Sequence, residues 1–369
     1  MTARDMRCDV VVIGAGVSGL AAAWALSASG AAVVCLEARD RVGGRVLTME
    51  SSGHHLDLGA TWFWANETAV ADLLSELELG SFEQRTAGDA LLERDINGPV
   101  RLDGNPVDSP ALRFVHGAQS LANGLAAKLP PGVLHLSNPV AGVEFTAGGV
   151  IVTAASGRVE ASAVVIAVPP SLAAETIPFT PPLPAKAHEV ISATPVWMGS
   201  TVKAVAVFDT SFWRANGLAG SAISYAGPFR EFHDMSGPQD TSAAIFAFAN
   251  AAELRRLHCA DVEKAYRQQL IRLFGDKARN PVEVLIMDWS REPYTTPKTP
   301  DTAGSTVWFG HDLYQRGAYQ ERLHWASTET ASYFAGHIEG ALLGGQRAAQ
   351  NARKSIAGPT PRGPVTSEP

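Results

Sequence analysis

Residues 9 to 20 read DVVVIGAGVSGL, and this run restricts the possible folds more than any other part of the chain. The β-branched stretch from Val10 to Ile13 suits a buried strand. Gly14, Gly16 and Gly19 then follow in GxGxxG spacing and open into the helix-like AAAWALSASG. In such a unit the first glycine permits the tight turn, the second lets a pyrophosphate approach the backbone, and the third lets helix and strand pack closely. The free N–H groups at the helix amino terminus then face the phosphates.

A second strand, AVVCL at residues 32 to 36, ends directly at Glu37. That is about twenty residues beyond the glycines, where a carboxylate can accept hydrogen bonds from a ribose diol. The next segment, ARDRVGGR at residues 38 to 45, adds Gly43 and Gly44 as a further site of close backbone approach. It also supplies Arg39, Arg41 and Arg45 as cations for a diphosphate. A simple nicotinamide dehydrogenase has no use for this second glycine pair.

The bulk properties agree with an ordinary globular enzyme. The chain has 369 residues, enough for roughly two domains, with 46% apolar and 18% charged residues. Its net charge of −7 is spread along the chain, which argues against nucleic acid as a partner. Cys8, Cys35 and Cys259 are far apart and form no CxxC, so neither a disulfide framework nor a zinc site is expected, and no metal is expected at all. No secretory signal, membrane partner or transmembrane span is expected, which places the protein in the cytoplasm. The Pro-rich end, from about residue 358 to 369, reads as a disordered tail.

With the glycine unit, Glu37 and the E-A-R-x-R-x-G-G-R run in place, the sequence resembles the flavin-containing amine oxidase family, the group of monoamine and polyamine oxidases. This chain is a short member of that pattern. The resemblance implies FAD as cofactor, held by Gly14, Ala15, Gly16, Ser18, Gly19, Glu37, Ala38, Arg39, Gly43, Gly44 and Arg45. It extends to HLDLGATWF, where Gly59, Ala60, Thr61 and Trp62 would lie against the flavin, and to NPVAGV, where Val140 would meet the adenine. VVIAVPP at residues 164 to 170 resembles a strand returning to the cofactor domain. TETASYFAGHIEGALLGGQRAA, residues 328 to 349, is similar to the family's last flavin motif, in which Glu329 would approach the ribityl and phosphate region and Ile338 the pyrimidine ring.

The fold implied is α/β, a doubly wound Rossmann-like FAD domain interleaved with a mixed-sheet substrate domain. The FAD domain is expected from residues 1–80, 128–195 and 296–369, and the substrate domain from 81–127 and 196–295. The run PVWMGSTVKAV holds Lys203 alone in an apolar strand. An unpartnered ammonium there is costly, and most such lysines reach back to the surface. The resemblance gives Lys203 a different role, next to a water at the flavin N5 edge.

The chain also departs from the family. It lacks a sizeable helical insertion between Trp62 and HGAQSL, residues 116 to 121, and so part of the usual active-site cover. Thr299 and His337 stand where larger relatives place two facing aromatic rings; Tyr294, Trp308 or Phe309 can supply a ring instead. His337 reads as a catalytic or substrate-binding group or as a polar wall, and Trp62 as a further substrate contact. Lys298 occupies the place of the cysteine that anchors flavin in mammalian-type relatives, so the FAD is expected to be non-covalent.

The function implied is oxidation of a small-molecule amine to an imine, with dioxygen reduced to hydrogen peroxide and with Lys203 and His337 as the catalytic candidates. Carbon–carbon dehydrogenation, as in desaturase-like relatives, and flavin binding without turnover are the alternatives. A homodimer is left open.

Overall fold

The computed structural model describes residues 5–51, 53–240, 242–255, 257–298 and 306–356. Thr299 and the expected tail at 358–369 lie outside the described residues. The chain forms two compact units, the first from the described parts of Met1–Val42, Leu125–Pro195 and Ser305–Pro369, the second from those of Gly43–Gly124 and Val196–Gly304. Residues 43–80, read in the sequence as part of the cofactor domain, therefore pack in the second unit. The reason is apolar: Leu56 and Leu58 share a core with Val205, Val207 and Phe246.

The first unit carries a five-stranded parallel sheet in the order Leu134–His135, Val33–Leu36, Val10–Ile13, Ala163–Ile166, Leu323–Trp325. VVVI, VVCL and AVVI are buried throughout, as continuous apolar strands covered on both faces must be. Helix Val17–Ala28 makes the crossover from Val10–Ile13 to Val33–Leu36, so the glycine-rich turn lies at the carboxyl end of the first of these strands. Here, in an open α/β sheet, ligands bind. A second five-stranded sheet, built around Val140–Thr146, Gly149–Ala154 and Gly157–Ala161, completes the unit.

The second unit is organised by a seven-stranded sheet in the order Glu283–Asp288, Thr201–Phe208, Ala243–Asn250, Phe229–Asp234, Leu218–Ser224, Asp89–Glu93, Val100–Arg101. All its pairings are antiparallel except Leu218–Ser224 with Asp89–Glu93. Strand alternation gives it two different faces. On one, Ala204, Ala206, Phe232, Ile245 and Ala247 pack against Tyr266, Leu270, Leu273 and Phe274 of helix Cys259–Phe274. On the other, Lys203 shares the side of Val205, Val207, Phe246 and Phe248.

The sequence reads as one helix over residues 251 to 274. The structure divides it into Ala251–Leu254 and Cys259–Phe274, the second helix starting after His258, which has extended backbone. Leu270 is fully buried at the centre of the resulting core. Replacing Leu270 with alanine leaves a cavity, and the expected loss is about 2–5 kcal/mol of unfolding free energy, measurable by denaturant titration. A loss below about 0.5 kcal/mol, the scale of a surface change, would contradict this packing.

Candidate active site

In the first unit, Gly14 has φ +101, a region that side chains other than glycine's rarely tolerate, and a Cβ on Gly19 would stand 1.9 Å from the Gly14 carbonyl oxygen. Gly16 caps helix Val17–Ala28 with extended backbone; no side chain caps the helix, and its first turn holds no acidic residue. Ser18 is buried in that turn, and its Oγ has no hydrogen-bond partner among the described residues. Glu37 is 3% exposed. Its carboxylate accepts from Ala15 N at 2.7 Å and Arg39 N at 2.9 Å, and the Arg39 guanidinium is 3.7 Å away. Those contacts hold the carboxylate rigidly while leaving acceptor lone pairs unused.

Ala38 and Arg39 follow Glu37 directly and are partly buried, and Arg39 O accepts from Ser137 N at 2.7 Å. Val140 begins its strand just after Asn138, whose N–H bonds Glu37 O at 2.8 Å. Glu329 is fully buried in the short helix Thr328–Thr330. Arg347 braces that turn, donating to Thr330 O at 2.8 Å, Thr330 Oγ1 at 2.9 Å and Trp325 O at 2.8 Å. Burial lowers the Arg347 pKa to about 10. His337 is half-buried, and its carbonyl accepts from Thr328 Oγ1 at 2.8 Å. It sits directly before Ile338, the first residue of helix Ile338–Ile356.

The second unit holds Gly43, Gly44, Arg45, Gly59, Ala60, Thr61, Trp62 and Lys203. Gly43 and Gly44 both have positive φ. Arg45 O accepts from Ala60 N at 3.2 Å, and Arg45 Nη1 donates to Trp197 O at 3.0 Å. Lys203 is 0% exposed. Its Nζ donates to Gly59 O at 3.0 Å and to Thr61 Oγ1, and it lies 4.2 Å from the centre of the Phe246 ring and 5.3 Å from that of Phe248. It does not snorkel.

Burial lowers the Lys203 pKa to about 7; the Asp57 charge opposes that shift and the Arg113 charge adds to it. Asp57 is itself buried, accepting from Thr48 Oγ1 at 2.6 Å and Ala118 N at 2.9 Å, and burial raises its pKa. Trp62 donates from Nε1 to Gln84 Oε1 at 3.0 Å and stands edge-on to His233, with ring centres 4.9 Å apart. Trp289 and Trp325 are fully buried core residues.

Sequence reasoning missed a polar cluster on the Lys203 face. Strand Phe229–Asp234 reads FREFHD, and its alternation sends Glu231 and His233 to one side. His233 Nδ1 is 2.6 Å from Asp108 Oδ1, and Nε2 is 3.7 Å from Glu231 Oε2. The available signal was the period-two pair of titratable residues inside an otherwise apolar sheet.

A family model described as flavin-containing amine oxidoreductase matches residues 101–353, more than half of the chain, and a model of the NAD(P)-binding Rossmann-like domain matches 12–77. The chain belongs to the flavin-containing amine oxidoreductase family. A Mycobacterium tuberculosis protein named as a flavin-containing monoamine oxidase is 28% identical to this oxidase, over 92% of this chain and 95% of its own. Putrescine oxidase from Kocuria rosea is 26% identical, over 92% and 94%. The solved structure of wild-type putrescine oxidase bound to putrescine has a TM-score of 0.83 at 24% identity, covering 95% of this chain and 100% of that one, and it shows the fold.

This oxidase is accordingly an FAD-dependent oxidoreductase acting on amines. The turn at Gly14, the uncapped helix start, the unpartnered Ser18 hydroxyl and the rigid Glu37 carboxylate suit the diphosphate and ribose of FAD.

Two outcomes follow. Glu37→Ala removes the carboxylate placed to accept from a ribose and is expected to purify largely without flavin, read from the ratio of flavin to protein absorbance; full occupancy would exclude that role. Lys203→Met tests the enclosed ammonium. Below about pH 7 the folded chain bears the whole cost of Lys203's depressed proton affinity, and that cost fades as pH rises towards 10.5, where the unfolded lysine also loses its proton. The stability of the methionine variant relative to the native protein should therefore increase as pH falls from 10 to 7, by about 1.4 kcal/mol per pH unit. A difference independent of pH would show that Lys203 titrates normally.

Proposed function

We propose that this enzyme oxidises short diamines, removing hydride from the carbon beside one nitrogen while the second ammonium is held by Glu231. The observation that carries the reading is a row of side chains across one sheet face. Lys203 pairs in register with Phe248, and Phe248 with Glu231. Two strand spacings separate the ends of the row by about 10 Å. One end presents a buried cation, the other a carboxylate whose side chain is 55% exposed and whose pKa is lowered by His233. The ring of Phe248 lies between them with the partly buried Trp62 ring against it, a surface suited to an aliphatic stem.

When bound, FAD supplies the two-electron acceptor and returns the electrons to dioxygen as hydrogen peroxide. Lys203, with two N–H donors committed to Gly59 O and Thr61 Oγ1, has a third with which to hold a water. With a pKa of about 7, its Nζ can take a proton from that water or return one at neutral pH. FAD is held without a covalent bond, since Lys298 stands where mammalian-type relatives carry the anchoring cysteine. Relatives named as monoamine oxidase and as putrescine oxidase both support amine substrates, and the second name supports a diamine. Among the described residues no helix is long and apolar enough to cross a membrane, and we assign the enzyme to the cytoplasm.

Peroxide release from 1,4-diaminobutane and from butylamine tests the reading. A charge-assisted hydrogen bond is worth about 1.5–3 kcal/mol, so Glu231→Gln should reduce the diamine-to-monoamine ratio of kcat/KM by roughly 10- to 100-fold. A ratio unchanged within twofold would remove Glu231 from substrate recognition.

A further inference from the structure

We infer that the Asp108–His233 pair is a positioning device for Glu231, orienting its carboxylate and preserving its negative charge for the second cation of a diamine. The inference rests on the assignment of Glu231 to that cation. The pair is enclosed, with side-chain exposures of 6% for His233 and 3% for Asp108. Asp108 is fixed on three sides: His233 Nδ1 at 2.6 Å on Oδ1, and Asn105 Nδ2 at 2.8 Å and the Ser221 hydroxyl on Oδ2. His233 Nε2 is buried, has no hydrogen-bond partner among the described residues, and lies at ion-pair distance from Glu231. The ring is thus immobilised at one nitrogen and directed at Glu231 with the other.

The charges explain why both residues are needed. A neutral imidazole carries one N–H, and Asp108 would claim it, leaving a lone pair facing the Glu231 carboxylate. Only the imidazolium serves both carboxylates. Alone, that cation would cancel the charge of Glu231; with Asp108 behind it, the three groups sum to −1, and the outward carboxylate remains attractive to an ammonium. Burial opposes the imidazolium, yet Asp108 and Glu231 outweigh it and raise the His233 pKa. Burial likewise opposes the ionised Asp108, but His233, Ser221 and Asn105 outweigh it and lower its pKa.

The other charged groups nearby are committed elsewhere. Asp234, next on the strand, accepts from Trp213 Nε1 at 2.9 Å and Arg214 at 3.0 Å. Arg113 donates to Met235 O and Ser236 O, and Lys203 to Gly59 O and Thr61 Oγ1. From the neighbouring strand and the Trp62 segment, His233 meets the uncharged rings of Phe246, Phe248 and Trp62.

The test is a double-mutant cycle on the flavin-loaded enzyme, with 1,4-diaminobutane and butylamine compared from pH 6 to pH 10. Asp108→Asn is expected to lower the diamine-to-monoamine ratio of kcat/KM on the order of tenfold, as loss of a supporting partner typically does. The same change made in Glu231→Gln should alter the ratio by less than twofold, because the partner it acts through is gone. In the Asp108→Asn enzyme the histidine loses its proton at lower pH. The C–H resonance of His233, assigned by its disappearance in His233→Gln, should titrate accordingly.

If Asp108→Asn does not fold, judged by its melting temperature, His233→Gln replaces it in the same cycle. A ratio within twofold of the unmodified enzyme, while Glu231→Gln alone shows its loss, overturns the positioning role and leaves the Glu231 reading intact. An equal loss in both backgrounds also overturns it, since the effect would then bypass Glu231. If Glu231→Gln itself leaves the ratio unchanged, the diamine reading fails and the positioning role fails with it.

Discussion

The second unit is arranged around an ammonium that the sheet encloses completely. Lys203 has no exposed surface, and its charge is met by a carbonyl, a hydroxyl and the faces of two aromatic rings rather than by a direct carboxylate partner. An isolated buried ammonium is expensive, and its proton affinity falls accordingly. The neighbouring segments answer that demand. Asp57 to Thr61 run beside the strand so that Gly59 and Thr61 serve as acceptors, while the buried Asp57 carboxylate offsets part of the cost. The residue that costs the sheet stability is the one able to exchange a proton near neutral pH, a combination found at functional sites more often than in structural cores.

The same sheet shows how one strand pattern serves two purposes. Alternate residues of Thr201–Phe208 and Ala243–Asn250 either pack on helix Cys259–Phe274 or face the polar and aromatic side. The apolar face supplies the burial that holds the helix. The opposite face can then afford Lys203, His233 and Glu231, each supported by neighbours on adjacent strands. In the first unit the division of labour differs: the three central strands are apolar on both faces, and the turn after Val10–Ile13 and Glu37 at the end of the next strand carry polar groups beyond them.

Much of this was legible beforehand because it is local. The GxGxxG turn needs glycine where φ is positive and where a helix closes on a carbonyl, so residue identity and spacing report the geometry directly. Glu37 was readable because a strand of known length carries it to a definite place. Lys203 stood out as a lone charge in an apolar strand, although the acceptors that make it tolerable come from residues 59 and 61. The assignment of residues 43–80 was not legible, since Leu56 and Leu58 look equally suited to either core.

The Asp108–His233–Glu231 cluster marks the boundary between the two kinds of information. By itself the sequence determined the strand–turn–helix at residues 10 to 28, the carboxylate after the second strand, and the alternation that puts Glu231 and His233 on one face. Only the tertiary structure decided which face that was and what it meets: Asp108 lies 125 residues from His233 in the chain, and the register of Phe229–Asp234 with Ala243–Asn250 brings Glu231 beside Phe248. Turn chemistry depends on a few consecutive φ and ψ angles, which residue types constrain directly. Register and strand order depend on how the whole apolar surface is buried, and no short segment carries that sum.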